Sequence, residues 1–372
     1  MLIGFCLYTY FPYGGLQRDF LRIALECSRR GHQVRVYTLC WEGEFPEGME
    51  LVLVPAPSFF RVSRNTRFAR WVQDDLVKRP VDRLVGFNRM PGLDLYYAAD
   101  PCFLDRALTQ RGFFYRLTPR FRHHAAFEKA VFGAGEKTQI LILSRQQEEL
   151  YRRRYGTEAN RFHPLPPGIS VDRRAPGDVT GIRREVREEL GFNERDLIVL
   201  QVGSGFRTKG LDRALTAFAS LPEGLSRRSR LVVIGRDNAV PFIRLARRLG
   251  IADRLTLLPG RDDVPRFLFA SDLLIHPAYN ENTGTVLLEA VVAGLPVLAT
   301  DVCGYAHYIQ KAEAGKVLPS PYRQVDLNGE LASMLEDSAG RARWSANGLA
   351  FAEQADIYSL HEKAADLIAG RS

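Results

Sequence analysis

The sequence of 372 residues contains no uninterrupted apolar stretch of the roughly 18 residues that suggest a membrane-spanning helix. Residues 1–10 are apolar, but they lack a basic n-region and run into an aromatic, glycine-containing turn. They read as a first buried strand rather than a secretory leader. The cysteines (Cys6, Cys27, Cys40, Cys102, Cys303) are odd in number, scattered, and include no Cys-x-x-Cys pair. That excludes a disulfide framework and a zinc site, and it points to a reducing compartment. No Gly-x-Gly-x-x-Gly follows the first strand, so a dinucleotide oxidoreductase loses its main support. Low-complexity tracts and short repeats are also missing. The expectation is a soluble, cytoplasmic protein, peripheral on a membrane at most.

Acidic residues are short on one side of the chain. There are 51 Lys and Arg against 43 Asp and Glu, a net charge of +8. Divided at the proline-rich break 164–168, the first 165 residues carry 25 basic and 17 acidic side chains, and the remainder carries 26 of each. The excess belongs wholly to the N-terminal half and calls for an anionic partner there: nucleic acid, membrane or phosphorylated ligand.

Short apolar runs alternate with amphipathic segments throughout, as in βα units feeding parallel sheets. Strands are expected at 2–7, 33–39, 51–54, 83–87, 94–98 and 138–143, and again at 197–202, 231–234, 255–258, 273–276 and 297–299. The fold class is therefore α/β, with two doubly wound domains, 1–165 and 166–355, whose ligand edges lie at the carboxyl ends of the strands and face a central cleft.

Three segments carry chemistry. The first strand leads into Tyr13-Gly14-Gly15, where glycines let a backbone approach a ligand and a helix N-terminus offers N–H groups to an anion. It reads equally as an ordinary turn. The second half opens with Gly203-Ser204-Gly205-Phe206-Arg207-Thr208-Lys209-Gly210, which is not a Walker A motif but places a lysine, beside Arg207, where it could neutralise a diphosphate. The alternative is a solvated loop lysine. In the third, His276 to Val297, Glu281 follows a buried strand, Gly284 opens a helix and Glu289 falls on that helix. Two carboxylates bracketing a helix N-terminus can hold a polyol, while the amides between them hold phosphate. Without a ligand, Glu289 reads as a solvent-facing helix residue.

The Glu281-x7-Glu289 spacing, the sequel Gly294 to Thr300, the Gly14-Gly15 loop and Lys209-Gly210 resemble family four of the retaining nucleotide-sugar glycosyltransferases. These have the two-Rossmann GT-B fold. The resemblance is closest to the members that build the lipopolysaccharide core, and it spans nearly the whole chain through 13–20, 85–94, 165–169 and 302–309. It implies these roles: Gly15 meets the donor diphosphate by its backbone, and Lys209 with Arg173 neutralises the departing phosphate. Glu289 takes the ribose hydroxyls, and Glu281 the sugar hydroxyls. Asn282 lies at the donor sugar, and Gly284, Thr285 and Val286 offer amides. Arg261 lines the uracil pocket by its main chain, and Asp19 and Asp100 face sugar and acceptor. Lys209, Glu281, Asp19 and Asp100 are the expected catalytic set. The resemblance also implies that residues 356–372 form a helix crossing back to the first domain.

No Asp-x-Asp occurs, so the usual carboxylate handle for a divalent ion is missing; no metal site and no cofactor is expected, with basic side chains and a helix dipole stabilising the leaving group. Ser204 and Thr208 stand where many relatives place arginine, which leaves Arg207 or Arg173 to compensate. Asn282-Thr283 is bulkier and more polar than usual, so UDP-glucose is the favoured donor and UDP-N-acetylgalactosamine or another UDP-hexosamine stays open.

Residues 103–132 interleave Arg106, Arg111, Arg116, Arg120, Arg122 and Lys129 with Phe113, Phe114, Tyr115, Phe121 and Phe127, against only Asp105 and Glu128. This composition fits an anionic membrane surface, single-stranded nucleic acid, or a core-packed helix with a solvated basic face. The lipid-linked acceptor that the resemblance implies favours the membrane over nucleic acid. The expected activity is hexose transfer from a UDP-sugar to a heptose of the lipopolysaccharide inner core. The alternatives are a UDP-sugar 2-epimerase on the same fold and a non-catalytic nucleic-acid-binding protein.

Overall fold

The strand runs Leu2–Cys6 and Leu95–Ala98 are buried at nearly every position, a pattern tolerated only by a sheet covered on both faces. The computed structural model describes residues 1–12, 14–57 and 60–370. The chain forms two units: Met1–Gly168 together with the segment from Tyr358 onward, and Ile169–Ile357.

The first unit is built on a seven-stranded sheet in the order Glu50–Leu53, Gln33–Thr38, Leu2–Cys6, Arg83–Gly86, Leu95–Ala98, Gln139–Ile142, Phe162–Pro164. Every pairing in it is parallel. Chain order reverses between Leu2–Cys6 and Arg83–Gly86, which opens a crevice at their carboxyl ends. The second unit repeats the plan with six parallel strands in the order Leu255–Leu258, Ser229–Ile234, Leu197–Val202, Leu273–His276, Val297–Thr300, Gly315–Leu318. Its reversal falls between Leu197–Val202 and Leu273–His276. These two sheets with their covering helices are the doubly wound α/β architecture expected from the sequence. Strands Phe162–Pro164 and Gly315–Leu318 lie outside that expectation; each occupies a sheet edge.

The last helix, Leu360–Ala369, belongs to the first unit. Its Leu360, Ala364, Ala365 and Ile368 enter the same apolar cluster as Phe20, Ile23, Ala24 and Cys27 of helix Gly15–Arg29. Arg30 Nη1 meets Asp366 Oδ1 at 2.6 Å beside this contact.

Segment 103–132 folds as helix Phe103–Gln110, a 3-10 turn Phe113–Leu117 and helix Pro119–Phe132, the last started by the Thr118 hydroxyl, which accepts from Phe121 N–H at 3.2 Å. Phe113, Phe114 and Leu117 are exposed, with exposed Arg111, Arg116 and Arg120 around them. Phe103, by contrast, is buried.

Glu128 is a correction to the composition reading, which counted it only as an offset to surface arginines. It is fully buried and accepts from the Phe103 and Leu104 amides at 2.7 and 2.8 Å and from the Tyr155 hydroxyl at 2.6 Å. Its Oε1 also meets Arg89 Nη1 at 2.9 Å. One carboxylate thus caps helix Phe103–Gln110 from a neighbouring helix. Glu128→Ala leaves the guanidinium and three donors without their acceptor, and is expected to lower stability by about 3–5 kcal/mol. Urea unfolding of the full chain checks this; a loss below about 1 kcal/mol would contradict it.

Candidate active site

At the reversal point of the second sheet two loops leave the carboxyl ends of neighbouring strands. Residues 203–210 follow Leu197–Val202, and residues 277–284 follow Leu273–His276. The first loop is closed by its own backbone, with Lys209 N–H donating to Gly205 O at 3.0 Å and Leu211 N–H to Phe206 O at 2.9 Å. Asp237 Oδ2 accepts from Phe206 N–H at 2.7 Å, and Ser204 Oγ accepts from Arg236 N–H at 3.1 Å, tying the loop to the end of the adjoining strand. Gly210 has φ 73°, and a side chain there would collide with the Pro277 carbonyl. Glycine is what lets the two loops touch.

That contact brings Lys209 Nζ into an ion pair with Glu281 Oε2. The lysine side chain is only 22% exposed, so it is not a solvated loop lysine. Burial pulls its ammonium below the ordinary lysine value, while the adjoining carboxylate favours the charged form. His276 Nε2 lies 3.5 Å from the same Glu281 oxygen. Complete burial, aided by the Lys209 charge, pushes the His276 pKa down to about 3. The imidazole is therefore neutral, and the charge at this point is one cation and one carboxylate.

Glu281 is held by a backbone bridge to Cys303, and Thr283 O accepts from Tyr305 N–H at 2.7 Å. Asn282 is buried beside it. Gly284, at φ 78°, turns the chain into helix Thr285–Val292, which has no side-chain cap. The amides of Thr285 and Val286 consequently have no acceptor within the helix and sit at its positive end.

Glu289, on that helix, is 13% exposed at its side chain and 3.6 Å from Arg173 Nε, which comes from the short turn Val171–Arg173. Glu289 is thus not solvent-facing. The Arg261 side chain is committed elsewhere: it grips Asp263 at 2.6 and 2.8 Å, reaches Glu189 at 3.3 Å and lies 4.4 Å over the Phe267 ring. Its hydrogen bonds hold the Asp263 carboxyl down at about 2. Only the Arg261 main chain remains for a ligand.

Residues without a role in the sequence reading also build the site. Arg213 is sandwiched between the Tyr279 and Tyr322 rings at 3.6 and 3.7 Å and donates to the Pro277 and Ala278 carbonyls, bracing the loop that carries Glu281. His276 heads the motif as quoted, and its place at a strand end was the available signal. Nothing in the sequence marks Arg213. Arg207 is exposed.

Gly15, Asp19 and Asp100 stand in the first unit; Tyr13 of the glycine loop lies outside the described residues. Gly15 begins helix Gly15–Arg29, and a methyl group there would meet nothing within 4 Å, whereas at Gly14 it would strike Gln17 and Phe11. Asp19 is held by both oxygens, with the Tyr97 hydroxyl at 2.8 Å and His361 Nε2 at 3.2 Å. Asp100 is exposed and lines a cavity of about 340 Å³ at the reversal point of the first sheet, with Tyr8, Asn88 and Arg89.

Comparison with known proteins agrees with this geometry. The model for glycosyl transferases group 1 matches residues 182–351, and that for Glycosyltransferase Family 4 matches residues 13–173. The chain is 48% identical over 370 residues to the lipopolysaccharide glucosyltransferase WaaG of Escherichia coli (strain K12), covering 100% of this chain and 99% of that protein. A crystal structure of WaaG, a glycosyltransferase involved in lipopolysaccharide biosynthesis, superposes with a TM-score of 0.94 over 99% of this chain and 100% of the other. The Anabaena protein Alr3699/HepE in complex with UDP-glucose, 18% identical, shares the fold with a TM-score of 0.76 over the full length of both chains. With its two parallel doubly wound units and a relative of this identity along its whole length, the chain is a glycosyltransferase of the GT-B fold and belongs to family four.

Proposed function

We propose that the protein transfers a hexosyl group, with retention, from a UDP-sugar to a heptose of the lipopolysaccharide inner core, building the outer core. The observation that carries this reading is the Lys209–Glu281 ion pair at the mouth of the uncapped helix Thr285–Val292. A diphosphate arriving at those amides competes with Glu281 for the Lys209 ammonium. Glu281, released from it, is then an acceptor for sugar hydroxyls. Glu289, steadied by Arg173, serves the ribose hydroxyls, and the Arg261 main chain serves the uracil. Gly284 gives the helix entry its turn, and Asn282 packs beneath the sugar. UDP-glucose is the favoured donor, in keeping with the names of the full-length relative and of the UDP-glucose complex.

In the reaction the bond between the anomeric carbon and the diphosphate oxygen breaks, and the acceptor hydroxyl oxygen bonds to that carbon on the same face. The hydroxyl proton passes to the departing phosphate oxygen. Lys209 and the helix N-terminus stabilise the charge that develops there. Gly15, Asp19 and Asp100 are assigned to this reaction from the first unit, Gly15 by its open backbone, and Asp19 as a fixed rather than a mobile carboxylate.

No divalent ion enters this scheme, so a chelator in excess is expected to leave turnover with UDP-glucose unchanged; loss of turnover restored by Mg²⁺ would overturn that part. A 2-epimerase reading predicts consumption of UDP-sugar without acceptor, and the experiment that separates the two is product identification with donor alone and with donor plus truncated core.

The exposed Phe113, Phe114 and Leu117, with exposed arginines around them, support our reading that this segment meets an anionic membrane surface rather than nucleic acid, the cytoplasmic face of the inner membrane in this proposal. Among the described residues no helix is long and apolar enough to cross a membrane. The protein is expected to float with vesicles containing anionic lipid. Phe113→Ser/Phe114→Ser is expected to weaken that binding about tenfold or more, from the apolar area lost. Equal flotation with purely neutral vesicles contradicts the assignment.

A further inference from the structure

The Asp19 carboxylate is held at both oxygens by elements far apart in the sequence. Tyr97, in strand Leu95–Ala98, donates its hydroxyl to Oδ2 at 2.8 Å. His361, in the first turn of the last helix, places Nε2 3.2 Å from Oδ1. A carboxylate only accepts, so Nε2 carries the hydrogen of this bond. Two donors on two oxygens fix the carboxylate in rotation as well as in place, which a single donor does not do.

Asp19 lies one turn into helix Gly15–Arg29, four residues from Gly15 and on the same face. Side chains lean toward the N-terminus of their helix, so the carboxylate is directed to the end where Gly15 opens the backbone. Its side chain is 29% exposed, and each oxygen keeps a lone pair beyond the bond described, so a ligand can reach it. The His361 side chain is 11% exposed.

The histidine ring is itself fixed. Gly168, the last residue before the chain passes into the second unit, runs so close that a Cβ there would sit 2.9 Å from His361 Cε1 and 2.8 Å from Leu360 Cβ. Leu360 is anchored in the apolar cluster with Phe20 and Ile23. That cluster and the Arg30–Asp366 pair already join the two helices. A partly exposed His–Asp pair adds little to the stability of such a contact. What it adds is a direction for the carboxylate.

We propose that His361 is a positioning residue of the transferase: its Nε2–H, with the Tyr97 hydroxyl, holds the Asp19 carboxylate in the orientation in which it meets the sugar substrates. The proposal rests on the role that the proposed function gives Asp19. The C-terminal helix then contributes a side chain to the site as well as packing to the core. Released at Oδ1, Asp19 keeps its bond to Tyr97 but turns about its last bond, and a misdirected group costs turnover more than it costs binding.

Two variants separate the hydrogen bond from the packing. His361→Phe keeps a ring and removes the donor; His361→Gln keeps a donor of similar reach. Initial rates on the full chain with UDP-glucose and truncated core are expected to show kcat lowered about tenfold in His361→Phe, with the donor KM within about twofold. His361→Gln is expected to stay within about twofold of the wild type in both. Added to Asp19→Ala, His361→Phe is expected to cost nothing further, because the group through which it acts is gone. Ile368→Ala, buried at the other end of the same helix, is expected to lower the unfolding temperature and leave turnover of the folded protein unchanged. Wild-type turnover in His361→Phe, equal losses in the two His361 variants, or a further loss on top of Asp19→Ala overturns the proposal.

Crystal structures of the two His361 variants give a readout that does not depend on the reaction. In His361→Phe the Asp19 carboxylate is expected to be rotated by more than about 30° or divided between conformers, and in His361→Gln to stay as in the wild type. An unmoved carboxylate in His361→Phe overturns the proposal whether or not the protein transfers a hexose. Full turnover in Asp19→Ala overturns the role given to Asp19 and, with it, that of His361. Absence of transfer to any acceptor overturns the proposed function, and the crystal structures then decide whether His361 orients Asp19.

Discussion

Lys209→Met is expected to lower turnover by about 10³-fold, the order found when a placed electrostatic group is taken from a developing anion in a water-poor site. The substitution does two separable things. It removes the cation that, on the proposed function, meets the leaving diphosphate, and it leaves the Glu281 carboxylate, 12% exposed, beside a neutral imidazole with no counter-charge. The second effect costs about 1–3 kcal/mol of stability. Lys209→Met/Glu281→Gln is therefore expected to recover most of the lost stability and none of the lost turnover. Thermal unfolding and initial rates on the single and double variants check both halves. If the double variant regained activity together with stability, Lys209 would be a structural partner of Glu281 and not a leaving-group residue.

The second large effect belongs to Glu281. Glu281→Gln keeps the size of the side chain but gives up the charged acceptor that the proposed function assigns to the sugar hydroxyls, an expected loss of about 10²-fold in kcat/KM for the donor. The sign for UDP itself is the opposite. With its carboxylate partner gone, the Lys209 ammonium is free for the diphosphate, so UDP is expected to inhibit the variant at least as strongly as the wild type. Competitive inhibition by UDP measured beside the donor KM checks this split. Parallel weakening of UDP and UDP-sugar would place Glu281 in general support of the pocket instead of on the sugar.

The architecture was readable from the sequence where strands are buried on both faces. Leu2–Cys6, Leu197–Val202 and Leu273–His276 are nearly continuous apolar runs because both faces of a parallel sheet are covered. Of the four edge strands, Glu50–Leu53 and Leu255–Leu258 were expected at 51–54 and 255–258, and the other two were not readable for the converse reason. Phe162–Pro164 carries a histidine and a proline, and Gly315–Leu318 begins with glycine and lysine and is mostly half-buried. An edge strand needs one partner and little burial, so its composition resembles a loop.

The site divides in the same way. Lys209, Glu281 and Glu289 stood out through their spacing and the family resemblance it carries, since a loop lysine and a helix glutamate taken singly also read as solvated residues. Their partners did not. The contacts Lys209–Glu281 and Arg173–Glu289 join residues far apart in the chain, and only the meeting of two loops at the sheet reversal, permitted by Gly210, makes them neighbours. Glu128 shows the reverse error. Its sequence neighbourhood is basic and aromatic, so composition counted it only as an offset to the basic residues. The amides of Phe103 and Leu104 and the Arg89 guanidinium take it inside.

Part of the positive charge that the first half carries in excess lies in the exposed arginines around Phe113 and Phe114. They suit a partner that is anionic and carried on a lipid. On the proposed function the second unit needs no excess, since a few placed groups, Lys209 first among them, would meet the diphosphate.

The most direct measurement is the reaction itself: the full chain with UDP-glucose and heptose-terminated truncated core, followed by NMR of the product. Acceptor-dependent release of UDP and a new hexosyl residue with the α-configuration of the donor are expected. A β-linked product would contradict retention, and conversion of the UDP-sugar without any acceptor would contradict transferase chemistry altogether.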